Sequence, residues 1–179
     1  MKITFYVGPR QSGKTQRSLE RYSENPESTI LFVHDSRNSA RLKDIMNRMG
    51  IENPVIRSAE QMGSVKEIMS VPNPRLKDKT HVICDEYLFW SERSRIAFLS
   101  FLQSHSNIEE VIVFSSLDKF YDLSPKTEIE KYLFEKSKKE DYSNLIYRAD
   151  VIIKMPETYN QFRVKRIDEE DTLTASRFK

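Results

Sequence analysis

The chain has 179 residues, a length that suits one domain with a buried core. Hydrophobic residues make up 38% of it and charged residues 31%, a balance typical of a globular protein with a highly charged exterior. Lys and Arg outnumber Asp and Glu by only 29 to 27, which excludes a bulk positive field for nucleic acid. Any contact with a phosphate backbone must therefore come from a local patch.

Cysteine usage and hydropathy point to the interior of a cell. The single cysteine, Cys84, excludes an internal disulfide and a multi-cysteine zinc site, and its apolar neighbours predict a small buried side chain. No apolar stretch approaches the roughly 18 to 20 residues that cross a bilayer. The first residues open directly into a strand-like run without a signal peptide. We therefore expect a cytoplasmic protein without membrane contact.

Short β-branched or aromatic runs alternate with helix-length segments along the chain. The predicted strands are residues 3–7, 30–34, 54–57, 81–84, 111–114, 151–155 and 162–167. The predicted helices are residues 13–24, 36–49 and 59–70, together with a segment that carries Ile96, Phe98, Leu99 and Leu102 at helical spacing. This alternation predicts an α/β fold with a mostly parallel central sheet flanked by helices. The last two strands favour a C-terminal antiparallel hairpin.

The remaining segments are polar. Residues 122–148 are predicted to form a charged excursion, in which residues 126–139 could be a surface helix. Residues 168–179 are predicted to form a flexible tail. Because no repeat or linker is visible, we expect residues 1–179 to form a single domain.

A glycine-bearing loop links the first predicted strand to the first helix. It fits the pattern G-x-x-x-x-G-K-S/T at every fixed position, through Gly8, Pro9, Arg10, Gln11, Ser12, Gly13, Lys14 and Thr15. Gly8 and Gly13 permit backbone angles and close approaches that a side chain would block, and the loop amides can enclose a β-phosphate. Lys14 would reach the β- and γ-phosphates, and the Thr15 hydroxyl would bind Mg²⁺. The loop therefore predicts binding of ATP and Mg²⁺.

Two adjacent carboxylates end the predicted strand at residues 81–84. Asp85 would hold Mg²⁺ directly or through water, and Glu86 would orient and deprotonate an attacking water. An adjacent glutamate favours hydrolysis of ATP by water, whereas a kinase needs a pocket for an acceptor hydroxyl. We therefore predict an ATPase of the glutamate-bearing class of P-loop NTPases, with Glu86 and Lys14 as catalytic residues.

Hydroxyl side chains end the next predicted strand. Ser115 and Ser116 follow the apolar run at residues 111–114. Ser115 is predicted to sense the γ-phosphate, and the alternative is that it only forms a cap or turn.

Together these segments resemble the ATPase domain of the large terminase subunit and related packaging motors of double-stranded DNA phages. The resemblance covers about residues 3–123. Residues 9–15 look like the Arg-Gln-x-Gly-Lys-Thr form of the loop, residues 75–89 are similar to the acidic-pair region, and residues 115–122 lie where the family has its coupling motif.

The resemblance implies ATP hydrolysis that drives translocation of double-stranded DNA, as in viral genome packaging. It also implies a homo-oligomeric ring and a separate nuclease or portal-like partner. By the same resemblance, Arg10 would stabilise charge on the γ-phosphate in cis, whereas the alternative is a solvent-facing loop residue.

Three departures from the family pattern keep other functions open. Only Met1 and Lys2 precede the first strand, the segment after residue 167 is too short for a nuclease domain, and residues 105–110 contain no arginine for a neighbouring subunit's site. One alternative is a nucleoside kinase of the thymidine-kinase type, although the cysteine-bound zinc usual in that group cannot be built here. Another is a non-motor switch or assembly ATPase.

Two further groups of residues are candidates for contacts with partners. Basic side chains that could meet DNA phosphates occur in two segments, at Arg37, Arg41, Lys43 and Arg48, and at Lys131, Lys136, Lys138 and Lys139. The alternative is that both are ordinary solvated faces. Phe89 and Trp90 follow the acidic pair and could form a subunit contact, but we expect them to pack in the core.

Overall fold

A seven-stranded sheet forms the middle layer of the computed structural model, which describes residues 1–9, 12–64, 76–116, 143–155 and 171–174. Its strands are β1 (Lys2–Gly8), β2 (Thr29–Val33), β3 (Ile56–Ser58), β4 (His81–Asp85), β5 (Glu110–Ser116), β6 (Val151–Lys154) and β7 (Asp171–Thr174). They lie in the order β3-β2-β4-β5-β1-β6-β7. Every neighbouring pair is parallel except β6 and β7, which are antiparallel.

Helices cover both faces of this sheet. They are α1 (Lys14–Glu24), α2 (Ser36–Arg48), α3 (Ala59–Ser64) and α4 (Glu92–Ser104), with 3-10 helices at Tyr87–Phe89 and Leu145–Arg148. Helices α1 and α2 pack on one face through Leu19, Tyr22, Leu42 and Met46. Helix α4 packs on the other through Phe98, Phe101 and Leu102. The predicted α/β fold with a mostly parallel sheet between helices is confirmed.

Strand residues alternate between the two halves of the core. Phe5 and Val7 of β1 belong to the half under α4, whereas Tyr6 belongs to the half under α1 and α2. This is the period of two that a strand imposes on its side chains. Because a parallel sheet is buried on both faces, its strands read as continuous apolar runs, and this explains why the strands were visible in the sequence.

Strand β5 lies between β1 and β4 and pairs with both, so that they end within two residues of each other. Gly8 pairs with Ser116, and Asp85 pairs with Phe114. Because the three strands run in parallel, the loop after β1 and the acidic pair after β4 emerge at the same edge of the sheet, two strand spacings of about 4.8 Å apart. This placement brings together the two motifs that lie about 70 residues apart in the sequence.

Two apolar side chains differ from their predicted places. Trp90 is buried and its indole packs against Phe32 and Phe98, whereas Phe89 is 42% exposed. The expectation of core packing therefore holds for Trp90 and is wrong for Phe89. Helical spacing in the sequence also predicts that Met49 lies on the apolar face of α2, but Met49 lies beyond the last residue of that helix and is exposed.

The C-terminal third departs most from the sequence prediction. The polar tail predicted from residue 168 contains β7, which supplies main-chain partners for the outer edge of β6. The charged excursion predicted for residues 122–148 is wrong at its end, because Leu145 and Ile146 are buried and Leu145 N donates to the Tyr87 hydroxyl. The predicted strand at residues 162–167 and the predicted surface helix at 126–139 lie outside the described residues.

Two expectations about composition have structural counterparts. Cys84 is buried and free, and burial raises the pKa of its thiol well above the ordinary value. None of the helices within the described ranges combines the length and apolarity needed to cross a bilayer.

Helix α2 begins with a side-chain cap that can be tested. Asp35 Oδ1 accepts a hydrogen bond of 2.8 Å from Asn38 N, so Asp35 is the N-cap. Replacing Asp35 with Ala should lower the free energy of unfolding by about 1 kcal/mol, because a helix N–H loses its acceptor. Urea denaturation measures this loss. The matched control is Asp44→Ala, which removes only an exposed pair with Arg48 and should change stability by less than about 0.5 kcal/mol.

Candidate functional site

The loop between β1 and α1 needs glycine at both of its fixed glycine positions. A Cβ atom on Gly8 would lie 2.9 Å from Ser12 Oγ and 3.0 Å from Met155 Cβ, so that at least one of these neighbours would have to shift. Gly13 has φ +82°, a left-handed backbone that side chains disfavour. The loop is therefore shaped by backbone constraints, as its pattern predicts.

The Lys14 ammonium lies inside this loop and is almost completely buried. Lys14 Nζ donates to Pro9 O at 2.6 Å, to Ser12 Oγ at 3.3 Å and to Gly8 O at 3.5 Å. It also lies 3.9 Å from Glu86 Oε1 on the far side of β5. One cation therefore joins the loop to the acidic pair, and its hydrogen-bond acceptors are oxygens, the atom type that a phosphate would offer in exchange.

Asp85 is a buried carboxylate of the site. Its Oδ2 accepts a hydrogen bond of 3.1 Å from Thr15 Oγ1, and its side chain is buried. Burial, and secondarily the charge of Glu86, raise the pKa of Asp85 to about 6, against the opposing influence of the Thr15 hydrogen bond, Lys14 and Arg41. Among the described residues, the groups around the Asp85 carboxylate therefore do not fully compensate for its charge.

The residues around Asp85 fit a hard divalent cation. Asp85 Oδ1 is buried and has no hydrogen-bond partner among the residues that the structure describes. A buried carboxylate oxygen next to a threonine hydroxyl provides the oxygen ligands that Mg²⁺ prefers, and a cation there would supply the missing charge. Thr15 and Asp85, the two predicted metal ligands, are thus brought into contact from two different elements.

Glu86 makes a sharp turn at the end of β4. Its backbone is left-handed, with φ 53° and ψ 39°, a conformation that costs a non-glycine residue about 1 kcal/mol or more. Glu86 N donates to Phe114 O at 2.7 Å, and the carboxylate accepts hydrogen bonds from Ser116 N at 2.8 Å and from Ser116 Oγ at 3.0 Å. The turn therefore places the glutamate side chain against the end of β5 rather than in line with its own strand.

The two serines at the end of β5 have different surroundings. Ser115 Oγ is fully buried and accepts a hydrogen bond of 3.0 Å from Leu88 N, in the turn that follows the acidic pair. Ser116 contacts Glu86 and pairs with Gly8 of the loop strand. Ser116 therefore joins the site, although only Ser115 was predicted to do so. The sequence shows two adjacent hydroxyl residues at the end of this strand. It does not show which of the two side chains faces the loop.

Most predicted site residues lie at one edge of the sheet. The structure brings together Gly8, Pro9, Ser12, Gly13, Lys14, Thr15, Asp85 and Glu86. Arg10 and Gln11 lie outside the described residues, so their predicted roles stay predictions. Chemically, the site combines a buried ammonium, two carboxylates and a hydroxyl at the N-terminus of α1, where the helix dipole favours anions.

No protein-family model and no curated protein matches this sequence. Among solved structures, the chain is similar to the crystal structure of the RadB recombinase, with 17% sequence identity and a TM-score of 0.45. The match covers 86% of this chain and 73% of the recombinase chain. A likeness this distant carries no conclusion about function, which must be inferred from the residues of the chain itself.

The burial of Asp85 predicts a pH-dependent gain in stability for Asp85→Asn. The pKa of the Asp85 carboxyl group is about 6 in the folded protein, and its ordinary value is 3.8. Because the folded state binds the proton more tightly than the unfolded state, the stability of the wild type falls as the pH rises through this interval. The neutral variant lacks this loss. The free energy of unfolding of Asp85→Asn, relative to that of the wild type, should therefore rise between pH 4 and 7 by up to about 3 kcal/mol, which is the free-energy equivalent of the pKa shift of Asp85.

Urea unfolding without Mg²⁺ or nucleotide measures this difference at each pH. The control is Glu52→Gln, which removes the charge of an exposed carboxylate. An Asp85→Asn advantage that does not change with pH would contradict the burial of a charged carboxylate.

Proposed function

We propose that this chain is a P-loop NTPase that binds ATP with Mg²⁺ and hydrolyses it. The observation that carries the proposal is the convergence of two motifs across β5. Thr15 Oγ1 lies 3.1 Å from Asp85 Oδ2, and Lys14 Nζ lies 3.9 Å from Glu86 Oε1. A triphosphate held by the loop would therefore have a metal-binding carboxylate and a potential general base beside its terminal phosphate.

Binding is the first step of the proposed reaction. The loop amides at the start of α1 and the Lys14 ammonium would hold the phosphate oxygens, and Lys14 would exchange its contact with Pro9 O for these anions. Thr15 and Asp85 are the residues that would hold Mg²⁺, which when bound neutralises charge on the phosphates. Bound Mg²⁺ would offset the free-energy cost of burying the charged Asp85 carboxylate.

Hydrolysis is the second step. The carboxylate of Glu86 would accept a proton from a water molecule while the oxygen of that water forms a bond to the γ-phosphorus. The bond from that phosphorus to the bridging oxygen of ADP would break, giving ADP and phosphate. This chemistry is supported by the position of Glu86, whose side chain is 32% exposed and so remains accessible to water.

A pair of substitutions tests the two steps separately. Lys14→Ala should abolish ATP binding, because the buried cation of the loop is lost. Glu86→Gln should retain binding and slow hydrolysis by about 10² to 10⁴ fold, the usual effect of losing a general base. Binding is measured by calorimetry with Mg-ATP, and turnover by release of phosphate.

The control for Glu86→Gln is Glu92→Gln, which changes an exposed carboxylate in the first turn of α4. It should leave turnover unchanged. Normal hydrolysis by Glu86→Gln would remove Glu86 from the mechanism. Formation of ADP and a nucleoside monophosphate, without free phosphate and only when a nucleoside is added, would instead favour the kinase alternative.

A finer hypothesis is that hydrolysis drives translocation of double-stranded DNA. It is supported by the resemblance of the loop and acidic-pair regions to phage packaging ATPases. It is also supported by exposed basic residues on α2, namely Arg37, Arg41 and Lys43, whereas Arg48 is paired with Asp44. The homo-oligomeric ring and the nuclease or portal-like partner belong to the same hypothesis and rest on the resemblance alone. Lys131, Lys136, Lys138 and Lys139 lie outside the described residues, as does most of the coupling region.

Duplex DNA distinguishes the motor from a switch or assembly ATPase. For a motor, duplex DNA should raise the ATPase rate, and the rise should weaken steeply with salt because phosphate contacts release counterions. The double variant Arg37→Gln/Lys43→Gln should lose part of this rise and keep the basal rate. Native mass measurement with ATP and DNA would report any ring. An ATPase rate indifferent to DNA at low and high salt would favour the non-motor alternative.

A further inference from the structure

The carboxylate of Glu86 is held at both of its oxygens by one residue. Oε2 accepts a hydrogen bond of 2.8 Å from Ser116 N, and Oε1 accepts one of 3.0 Å from Ser116 Oγ. Two hydrogen bonds to the two oxygens of a carboxylate fix its plane as well as its position. Ser116 therefore determines the orientation of the glutamate in this structure.

The strand that carries Ser116 is a firm support for this contact. Ser116 is the last residue of β5, where it pairs with Gly8, and Glu86 N donates to Phe114 O two residues earlier on the same strand. Phe114 is completely buried and stacks on Tyr6 at a ring-centroid distance of 4.8 Å. Both the main chain and the side chain of Glu86 are thus attached to one central strand.

Lys14 is not an equivalent support for Glu86. Its distance of 3.9 Å to Oε1 is too long for a hydrogen bond, whereas Lys14 Nζ donates to Pro9 O at 2.6 Å, its shortest contact within the described part of the chain. A bound triphosphate would draw the ammonium further toward phosphate oxygens. The hydrogen bonds from Ser116 are then the ones that remain to hold Glu86 during the reaction.

We propose that Ser116 is a positioning residue for ATP hydrolysis, whose hydroxyl holds the Glu86 carboxylate in the orientation that accepts a proton from the attacking water. The inference rests on the proposed hydrolytic function and assigns Ser116 an effect through Glu86 rather than through the nucleotide. Loss of the hydroxyl frees Oε1 while the main-chain bond to Oε2 stays. The glutamate then samples orientations in which proton transfer is slower.

The test compares Ser116→Ala with Ser116→Thr, which keeps the hydroxyl. Ser116→Ala should lower kcat by about 10-fold or more, as small misplacements of a reacting group do, and leave the Kd for Mg-ATP within about twofold. Ser116→Thr should recover most of the lost kcat. The matched control is Ser100→Ala, whose hydroxyl bonds only within α4 to Ile96 O and should change neither constant.

A double variant decides whether Ser116 acts through Glu86. In the Glu86→Gln background, Ser116→Ala should slow hydrolysis much less than it does in the wild type, because the base that it positions is already lost. Equal slowing in both backgrounds, a raised Kd for Mg-ATP, or an unchanged kcat in Ser116→Ala would each overturn the inference while leaving the ATPase intact. Absence of ATP turnover in the wild type would overturn the proposed function and this inference together.

Discussion

Parallel pairing of β1, β5 and β4 is the constraint on which the site depends. Along β5, Gly8 is aligned with Ser116 and Asp85 with Phe114, so that the loop and the acidic pair emerge at the same edge of the sheet, offset by two residues. The contact between Thr15 and Asp85 joins two residues that are 70 positions apart in the sequence. It therefore depends on the pairing of the strands that carry the two motifs. A shift in register by one residue would reverse the facing of the side chains along a strand and separate the two halves of the site.

Unfavourable features are concentrated at the turn after β4. Asp85 is a buried carboxylate with an oxygen that has no partner in the described part of the chain, and Glu86 adopts a left-handed backbone. Both features cost stability, and both lie where a cation and a phosphate would interact with them. Strain and buried charge persist only where the surroundings enforce them. Such features are expected at a site adapted to bind a ligand rather than at one selected for stability.

Hydrogen bonds to buried groups hold the turn after β4 in its conformation. Trp90 Nε1 donates to Asp85 O, Leu88 N donates to Ser115 Oγ, and the Tyr87 hydroxyl donates to Ser143 O. These contacts attach consecutive parts of the turn to buried elements, including the segment near residue 143. The Ser115 hydroxyl thus supports the main chain of the turn, and Ser116 orients the glutamate carboxylate. Adjacent hydroxyls on one strand serve different ends because their side chains point in opposite directions.

Local patterns were sufficient for the phosphate loop, the acidic pair and the strands of the parallel sheet, because each is encoded by consecutive residues with a recognisable period or spacing. The amino-acid sequence alone therefore determined the α/β class and the motifs of the site. It did not distinguish Ser116 from Ser115, since that choice depends on which face of β5 meets the turn after β4. It also missed β7 and the buried residues Leu145 and Ile146, whose places depend on a free strand edge and a tyrosine hydroxyl far away in the chain. Only tertiary structure decided these features, because each is stabilised by contacts between residues that the sequence keeps apart.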